Sequence, residues 1–539
     1  MINLKGPRQS APSRAEPSAP PRVLGPSPIL LSFVALVVTA LWLFRSHGGL
    51  GVRGKWVVEP NFAAWPWGAW PLPVGFLVIF GGAAALAAYD RFKRAKGRRE
   101  QRASTRACIV ALMMLGTFLP WTLLGPGAVK VTLSHFTLEG RLNIIGAMWS
   151  DVATQYFGAA YQITDARQFA REYTSVWQNS TSSSLAHIAT HPPGAVLVFY
   201  GIRRFYEAVP GLDGVCSHLA ATMTQTPFET LYASVSLLRS SASRSGGAPA
   251  PPVLPTSAVG CALFTAFLLG ASLIAAAPAL FGLASLGARS EEEGDIRGLM
   301  AVALFVLAPT LNLFAFTLDG LIAALVVWTL YGAARALQGS EPRWWFFTGA
   351  LFTVTAFLTA GVLVVVPLVF IAAWFWKPGT AGLIGVAKGF GAGAAVCGLV
   401  LWLLFPANPI EVFVNAAEAH RLATLEFRPW LPWLGLNIVT WALFMGWPVT
   451  SALLARRPYR VVEWPCEAIG LATLIVIGLM QLSGDVRGET ERLWLFLLAP
   501  LVALAVARLP WRVGVPLIVL QAVQTLIMSA TLAPLVRPF

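Results

Sequence analysis

Residues 91–106 read RFKRAKGRREQRASTR, with eight basic side chains and one acid. On either side lies an apolar run, about Pro71–Tyr89 before it and about Ala107–Leu124 after it. Each run is close to the roughly 17–25 residues that cross a bilayer as a helix. A short loop this basic stays in the cytosol. The run before it therefore travels inward and the run after it returns outward. Working back, Ile29–Phe44 becomes the first span. No small-residue cleavage site follows that run, so it reads as a span and not as a signal peptide. Residues 1–27 hold Pro12, Pro17, Pro20 and Pro21 among serines and basic residues. That composition predicts a disordered cytosolic tail.

Composition agrees with the membrane reading. The chain has 539 residues, of which 56% are hydrophobic and 12% charged, with a mean hydropathy of +0.66. Soluble domains carry about twice that charge. The apolar runs are continuous, not alternating, so helices and not a β-barrel satisfy the backbone in lipid. The formal net charge of +14 would suit nucleic acid. Its placement in short loops between apolar runs assigns it to topology instead. Cys108, Cys216, Cys261, Cys397 and Cys466 are scattered without metal or redox spacing and read as packing residues.

The expected fold class is all-α: a polytopic membrane bundle of about thirteen transmembrane helices. Residues 28–124 form a three-span region. Residues 125–257 form one large extracytoplasmic loop with juxtamembrane helices and the candidate active site. Residues 258–539 form a bundle of about ten spans. In this scheme Arg335, Arg343, Lys377, Arg456, Arg457, Arg460, Arg508 and Arg512 all face the cytosol. Making Gly194–Tyr200 a span would invert them, so Pro192–Tyr206 is expected to be a helix lying along or dipping into the outer surface.

The long loop concentrates the chemistry. Asp151 and Asp165 are fourteen residues apart, close to four helical turns. Either carboxylate can serve as a general base or a metal ligand, or simply belong to a solvated amphipathic helix. His187 and His191 are four apart, a spacing that can bind zinc on a helix. However, Pro192 drives residue 191 out of helical conformation, which argues against a shared metal. His191 is expected to face a polar cavity ahead of a Pro-started helix. A later stretch, Asp485 to Arg492, places Arg487, Glu489, Glu491 and Arg492 at the mouth of an apolar run. Charges there are costly unless they serve a site. A guanidinium suits a phosphate through its forked donors, and the plainer reading is an interfacial anchor beside Trp494.

The order of these features resembles the GT-C superfamily of membrane glycosyltransferases, which includes protein O-mannosyltransferases and lipid A aminoarabinose transferases. The features are a basic inner loop, a span, and an outer Ser150-Asp151-Val152 followed by Tyr156-Phe157. Thr190-His191-Pro192-Pro193-Gly194 comes next, and then Thr317-Leu318-Asp319-Gly320 leading into a span that ends in Arg335. The chain differs in having three runs before the loop, a single Asp151 in place of an acidic pair, and an insert at about 211–257. The resemblance implies that Asp151 is the catalytic acid and that His191 is the His before Pro-Pro. Asp165 matches no fixed position and is a candidate only by its helical face.

The expected function is transfer of a sugar from a polyprenyl-phosphate donor to a hydroxyl of a glycan, lipid or protein acceptor. It would take place on the outer face of a bacterial plasma membrane. Asp151 and Asp165 are the catalytic candidates. His187, His191, Asp319, Arg487, Glu489, Glu491 and Arg492 are the substrate-binding candidates. Asp151 either acts as base or holds a divalent cation, Mg²⁺ or Mn²⁺. A lipid-linked donor is expected because no phosphate-cradling Gly-rich loop or cytosolic nucleotide domain is visible. The alternative from another class is a transporter or flippase of lipid-linked sugar.

Overall fold

The computed structural model describes residues 27–45, 50–52, 56–58, 71–94, 97–124, 129–133, 136–140, 148, 155–178, 186–224, 227–233, 236, 253–339, 341–426, 428–455 and 462–531. Asp151, the tail 1–26, the middle of the insert (237–252), and Arg456, Arg457 and Arg460 lie outside these residues.

Apolar continuity becomes helix, as expected. The N-terminal runs form α1 (Pro28–Arg45), α2 (Pro73–Phe92) and α3 (Arg98–Leu124). Two short antiparallel hairpins accompany them: β1 (Leu50–Val52) with β2 (Trp56–Val58), and β3 (Val129–Leu133) with β4 (Phe136–Gly140). Short helices follow: α4 (Gln155–Ala160), α5 (Ala166–Arg171), α6 (Ala186–Ala189), α7 (Gly194–Ala208) and α8 (Leu212–Thr224). The second apolar block begins with α9 (Ala258–Ser285), α10 (Glu291–Val306), α11 (Pro309–Phe314) and α12 (Leu318–Gly339). It continues through α13 (Pro342–Leu358), α14 (Val365–Trp376), α15 (Thr380–Leu404), α16 (Pro409–His420) and α17 (Trp430–Met445). The final elements are α18 (Trp447–Leu454), α19 (Pro465–Ser483), α20 (Thr490–Leu493), α21 (Leu498–Val506) and α22 (Trp511–Thr531).

Among the described residues, 7 helices are long and apolar enough to cross a membrane: α2, α3, α9, α12, α15, α19 and α22. The bent pair α17–α18 raises this to 8. The chain is an integral membrane protein. Several other runs that read as single spans are cut by their own residues. Pro309 cannot extend α10, so Ala308 turns extended and α11 starts afresh. At Thr359, extended at φ −153°, the break instead falls between two runs that read as separate spans, about Trp345–Leu358 and Val362–Trp376, and divides α13 from the turn that opens α14. Gly446, at φ 103°, bends α17 against α18 by 112°. That backbone angle favours glycine, and a Cβ there would collide with Gln521.

Each break frees backbone groups in an apolar interior, where they must find partners. Polar side chains supply them. Asn312 Nδ2 donates to the carbonyls of Val306 (2.8 Å) and Ala308 (3.0 Å), and the Thr525 hydroxyl donates to that of Leu307. At the bend, Gln524 donates to Leu443 O (2.8 Å) and accepts from Trp447 N (2.8 Å). Gln521 donates to Met445 O at 2.9 Å. This explains why α22, a bundle helix, buries Gln521, Gln524 and Thr525.

Ion pairs form two layers. One holds Arg91–Asp295 (2.6 Å), Arg102–Glu291 (3.1 Å), Arg289–Glu463 (3.0 Å) and Arg508–Glu467 (2.7 Å). In the same layer Trp464 lies between the guanidiniums of Arg297 (3.7 Å) and Arg508 (4.9 Å). The other layer holds Arg492, Asp319, Glu489 and Arg428. Helix α19 carries Glu467 of the first layer in its first turn and ends at Ser483, just before the loop that builds the second. The two layers therefore cap opposite ends of the bundle. All five cysteines are free thiols and four are buried, consistent with packing.

Candidate functional site

The second layer is built from loop segments far apart in sequence. The loop after α19 turns through three left-handed residues, Gly484 (φ 71°), Gly488 (φ 92°) and Glu489 (φ 59°). Glu489 is the one non-glycine with positive φ among the described residues. Such a conformation costs of order 1 kcal/mol and persists only where surroundings hold it. The hold is explicit. Asn437 of α17 accepts from Gly488 N (2.9 Å) and donates to Val486 O (2.7 Å), and Thr490 Oγ1 donates to Asn437 O (3.1 Å). The Arg487 guanidinium donates to the carbonyls of Gly484 (2.7 Å), Leu425 (2.8 Å) and Arg428 (2.6 Å).

This fixes Arg492 on α20. Its Nη2 donates to Glu489 at 3.0 Å, and its Nε faces Asp319 of α12 at 3.7 Å. Arg428 holds the other Glu489 oxygen at 2.8 Å. Burial works against the charge on Arg492, but Asp319 and Glu489 outweigh it and raise its affinity for the proton. Glu491 is 5% exposed, and its Oε2 has no hydrogen-bond partner. Burial first, and then Glu489, push its carboxyl up to about 8, against the pull of Arg492 and Arg428. The Thr310 hydroxyl at the start of α11 donates to the Glu491 carbonyl.

The His-Pro-Pro segment reaches the same place. Tyr156 of α4 is buried and lies edge-on to His191, ring centroids 5.4 Å apart. Burial raises its hydroxyl well above the usual range, and Arg492 and Asp319 both act on it electrostatically. Tyr173 anchors the turn, its hydroxyl bonding to Ile188 O (2.8 Å) and His191 O (2.7 Å). The Thr190 hydroxyl is 3.1 Å from His191 Nδ1. Behind the turn, Gly194 lies against the Phe357 carbonyl so closely that a Cβ would collide with it. From there α7 runs for 15 residues with one face buried.

The sequence candidates thus divide. His191, Asp319, Glu489, Glu491 and Arg492 come together. Asp165 does not join them: it caps α5, accepting from Arg167 N (2.7 Å) and Gln168 N (3.0 Å). It is exposed, and those backbone bonds, from Gln168 and then Arg167, lower its pKa. Asp165 therefore has a local structural role, as expected of an Asp at an N-cap. Arg487 likewise braces the loop through carbonyls, so the structure gives it a scaffolding role. His187 falls in α6, and Asp151 lies outside the described residues. Sequence reasoning missed the weight of Arg428, Asn437 and Thr310, and took Tyr156 only as part of the motif after Asp151. Of the first three only Arg428, two residues before Trp430 in a charged stretch, carried any signal.

No group of three or more His, Cys, Asp or Glu is arranged to hold a metal among the described residues. The site instead offers a held guanidinium, a buried acid and an aromatic–imidazole wall, a combination able to bind an anion and order a polar substrate. No family model matches the chain, and no curated protein or solved structure shows significant similarity to it.

Proposed function

We propose that the chain is a GT-C-like glycosyltransferase that moves a sugar from a polyprenyl-phosphate donor to a hydroxyl acceptor. The observation that supports this reading is that Tyr156, edge-on to His191, lies within electrostatic reach of Asp319 and Arg492, themselves 3.7 Å apart. In this reading the acceptor oxygen attacks the anomeric carbon and loses its proton to the Asp151 carboxylate, while the bond from that carbon to the phosphate oxygen breaks. The electron pair leaves with the phosphate, and Arg492 stabilises the growing charge. The reading includes about thirteen membrane passages, counting the short and bent helices, with the Arg492 layer outside a bacterial plasma membrane.

A test is turnover of a radiolabelled polyprenyl-phosphate sugar in membranes carrying Arg492→Lys or Arg492→Ala. Losing a charge-assisted contact to a developing anion costs about 10²–10³ in rate, so the Ala variant should lose nearly all activity. Lys keeps the charge but not the fork and should lose part. Normal turnover in a well-inserted Ala variant leaves only an anchoring role. The second reading, a transporter of lipid-linked sugar, draws on the 112° break between α17 and α18, since broken helices often line transport sites. Movement of an unmodified lipid-linked sugar across proteoliposomes, without transfer, would favour it.

A further inference from the structure

The Arg492 layer contains a carboxyl that the proposed transfer does not use. Glu491 is nine-tenths buried, one of its oxygens meets no partner, and it directly precedes Arg492 in the chain. Among the described residues, few charged groups surround it. Arg492 follows it in the chain and Glu489 stands two residues before it, Arg428 grips Glu489, and Asp319 faces Arg492 from α12. The elements packed on α20, namely α11, α17 and the turn Leu495–Leu497, bring no charged side chain. Among the described residues, Tyr156 and His191 are the titratable groups on the α4 side.

The charges of Arg428 and Arg492 balance those of Asp319 and Glu489. The state of Glu491 then decides whether this group of five is neutral or negative. Arg492 Nη2 is bonded to Glu489, and Nε looks towards Asp319 at 3.7 Å, longer than an N–H···O hydrogen bond. Its Nη1 takes no partner among the described residues and the side chain is one-fifth exposed, which leaves that end of the guanidinium for an incoming oxygen.

We infer that Glu491 makes this a proton-linked anion site: a phosphoryl group binds Arg492 while the Glu491 carboxyl is neutral, and is released when that carboxyl ionises. The inference rests on the reading of the site as one for lipid phosphate. An ionised Glu491 adds an uncompensated negative charge in a poorly solvated place, where like charges repel strongly. The chain's own chemistry supports the neutral form, because burial and Glu489 both favour it.

The test uses the full chain in detergent, with polyprenyl monophosphate as probe, polyprenyl alcohol as control and inorganic phosphate as a second anion. Binding is followed by tryptophan fluorescence from roughly pH 6.5 to 9.5, a range above the second ionisation of a phosphate monoester near 6. The dissociation constant should hold steady at the low end and rise about tenfold per pH unit once the carboxyl ionises. Glu491→Gln keeps the shape without the proton and should bind tightly and evenly across the range. Infrared spectra should show a protonated-carboxyl band that fades at high pH and is missing in Glu491→Gln. Inorganic phosphate with the same pH profile assigns recognition to the phosphoryl group; binding of the lipid phosphate alone adds the chain. A flat wild-type profile with intact phosphate binding overturns the role of Glu491 and leaves the transferase reading standing. A pH dependence retained in Glu491→Gln does the same. Equal binding of the alcohol, or no binding of any phosphate, overturns both.

Discussion

Replacing Gln524 by Leu removes a side chain of similar volume that closes the bend at Gly446. It takes away the donor to Leu443 O and the acceptor for Trp447 N, both at 2.8 Å. Side-chain hydrogen bonds inside membrane proteins average only about 0.6 kcal/mol by pairwise measurement. That figure applies when both partners can relax. Here two backbone groups stay buried without a partner, at about 1–3 kcal/mol each. The expected loss is therefore on the order of 2–6 kcal/mol. Gln521→Leu is a matched comparison, because it removes one bond, to Met445 O, and its Oε1 has no partner to lose. It should cost clearly less. The assay is thermal unfolding in detergent, read by a thiol-reactive fluorophore that reports exposure of the four buried cysteines. If the two variants melt alike, or Gln524→Leu melts with the wild type, the bend does not depend on this glutamine and the argument is wrong.

Glu491 should also leave a mark on stability. Its folded value of about 8 lies above the ordinary 4.5, so between those values the folded protein keeps a proton that the unfolded chain has released. Stability should fall as pH rises through that window, and Glu491→Gln should flatten the fall, visible as melting temperature against pH. Asp165→Ala should lower the melting temperature as a cap is removed, whereas Asp165→Asn, another good cap, should be silent in the same melting assay. Tyr173→Phe removes the bonds to Ile188 O and His191 O. It should loosen the His-Pro-Pro turn, measurable as faster amide exchange around residues 186–194 with helix α22 unchanged.

What the sequence discloses follows from the range of each signal. A basic loop between apolar runs acts locally, so the helices around residues 91–106 are legible at once. The breaks at Pro309 and Gly446 carry a local signature too, but reading each run as one passage overlooks it. The partners of those breaks could not be read at all. Nothing in the spacing of Gln524 points to Leu443, because the link exists only once α22 packs on the bend. The same holds at the site. His191 and Arg492 stand out by motif and by charge at a helix mouth. Tyr156 stands in the motif after Asp151 without showing that its ring meets His191, and Asn437 looks like a stray polar residue in a span. Asp165 misled for a physical reason: an acid at a helical spacing and an acid at a helix N-cap look identical until the helix boundary is known.

The glutamine clasp also has a consequence in time. Trp447 and Gln524 are 77 positions apart. At roughly 5–20 residues per second of synthesis, the bend leaves the ribosome several seconds before its partner exists. During that interval the bare carbonyls near Gly446 need water, a neighbouring lipid headgroup or the insertion machinery as a temporary host. The kink is then an event completed after its own helix pair has been made, and α22 is the segment that closes it. A ribosome halted before Gln524 should hold α17 and α18 in a state open to solvent-borne labels, and one released past it should not.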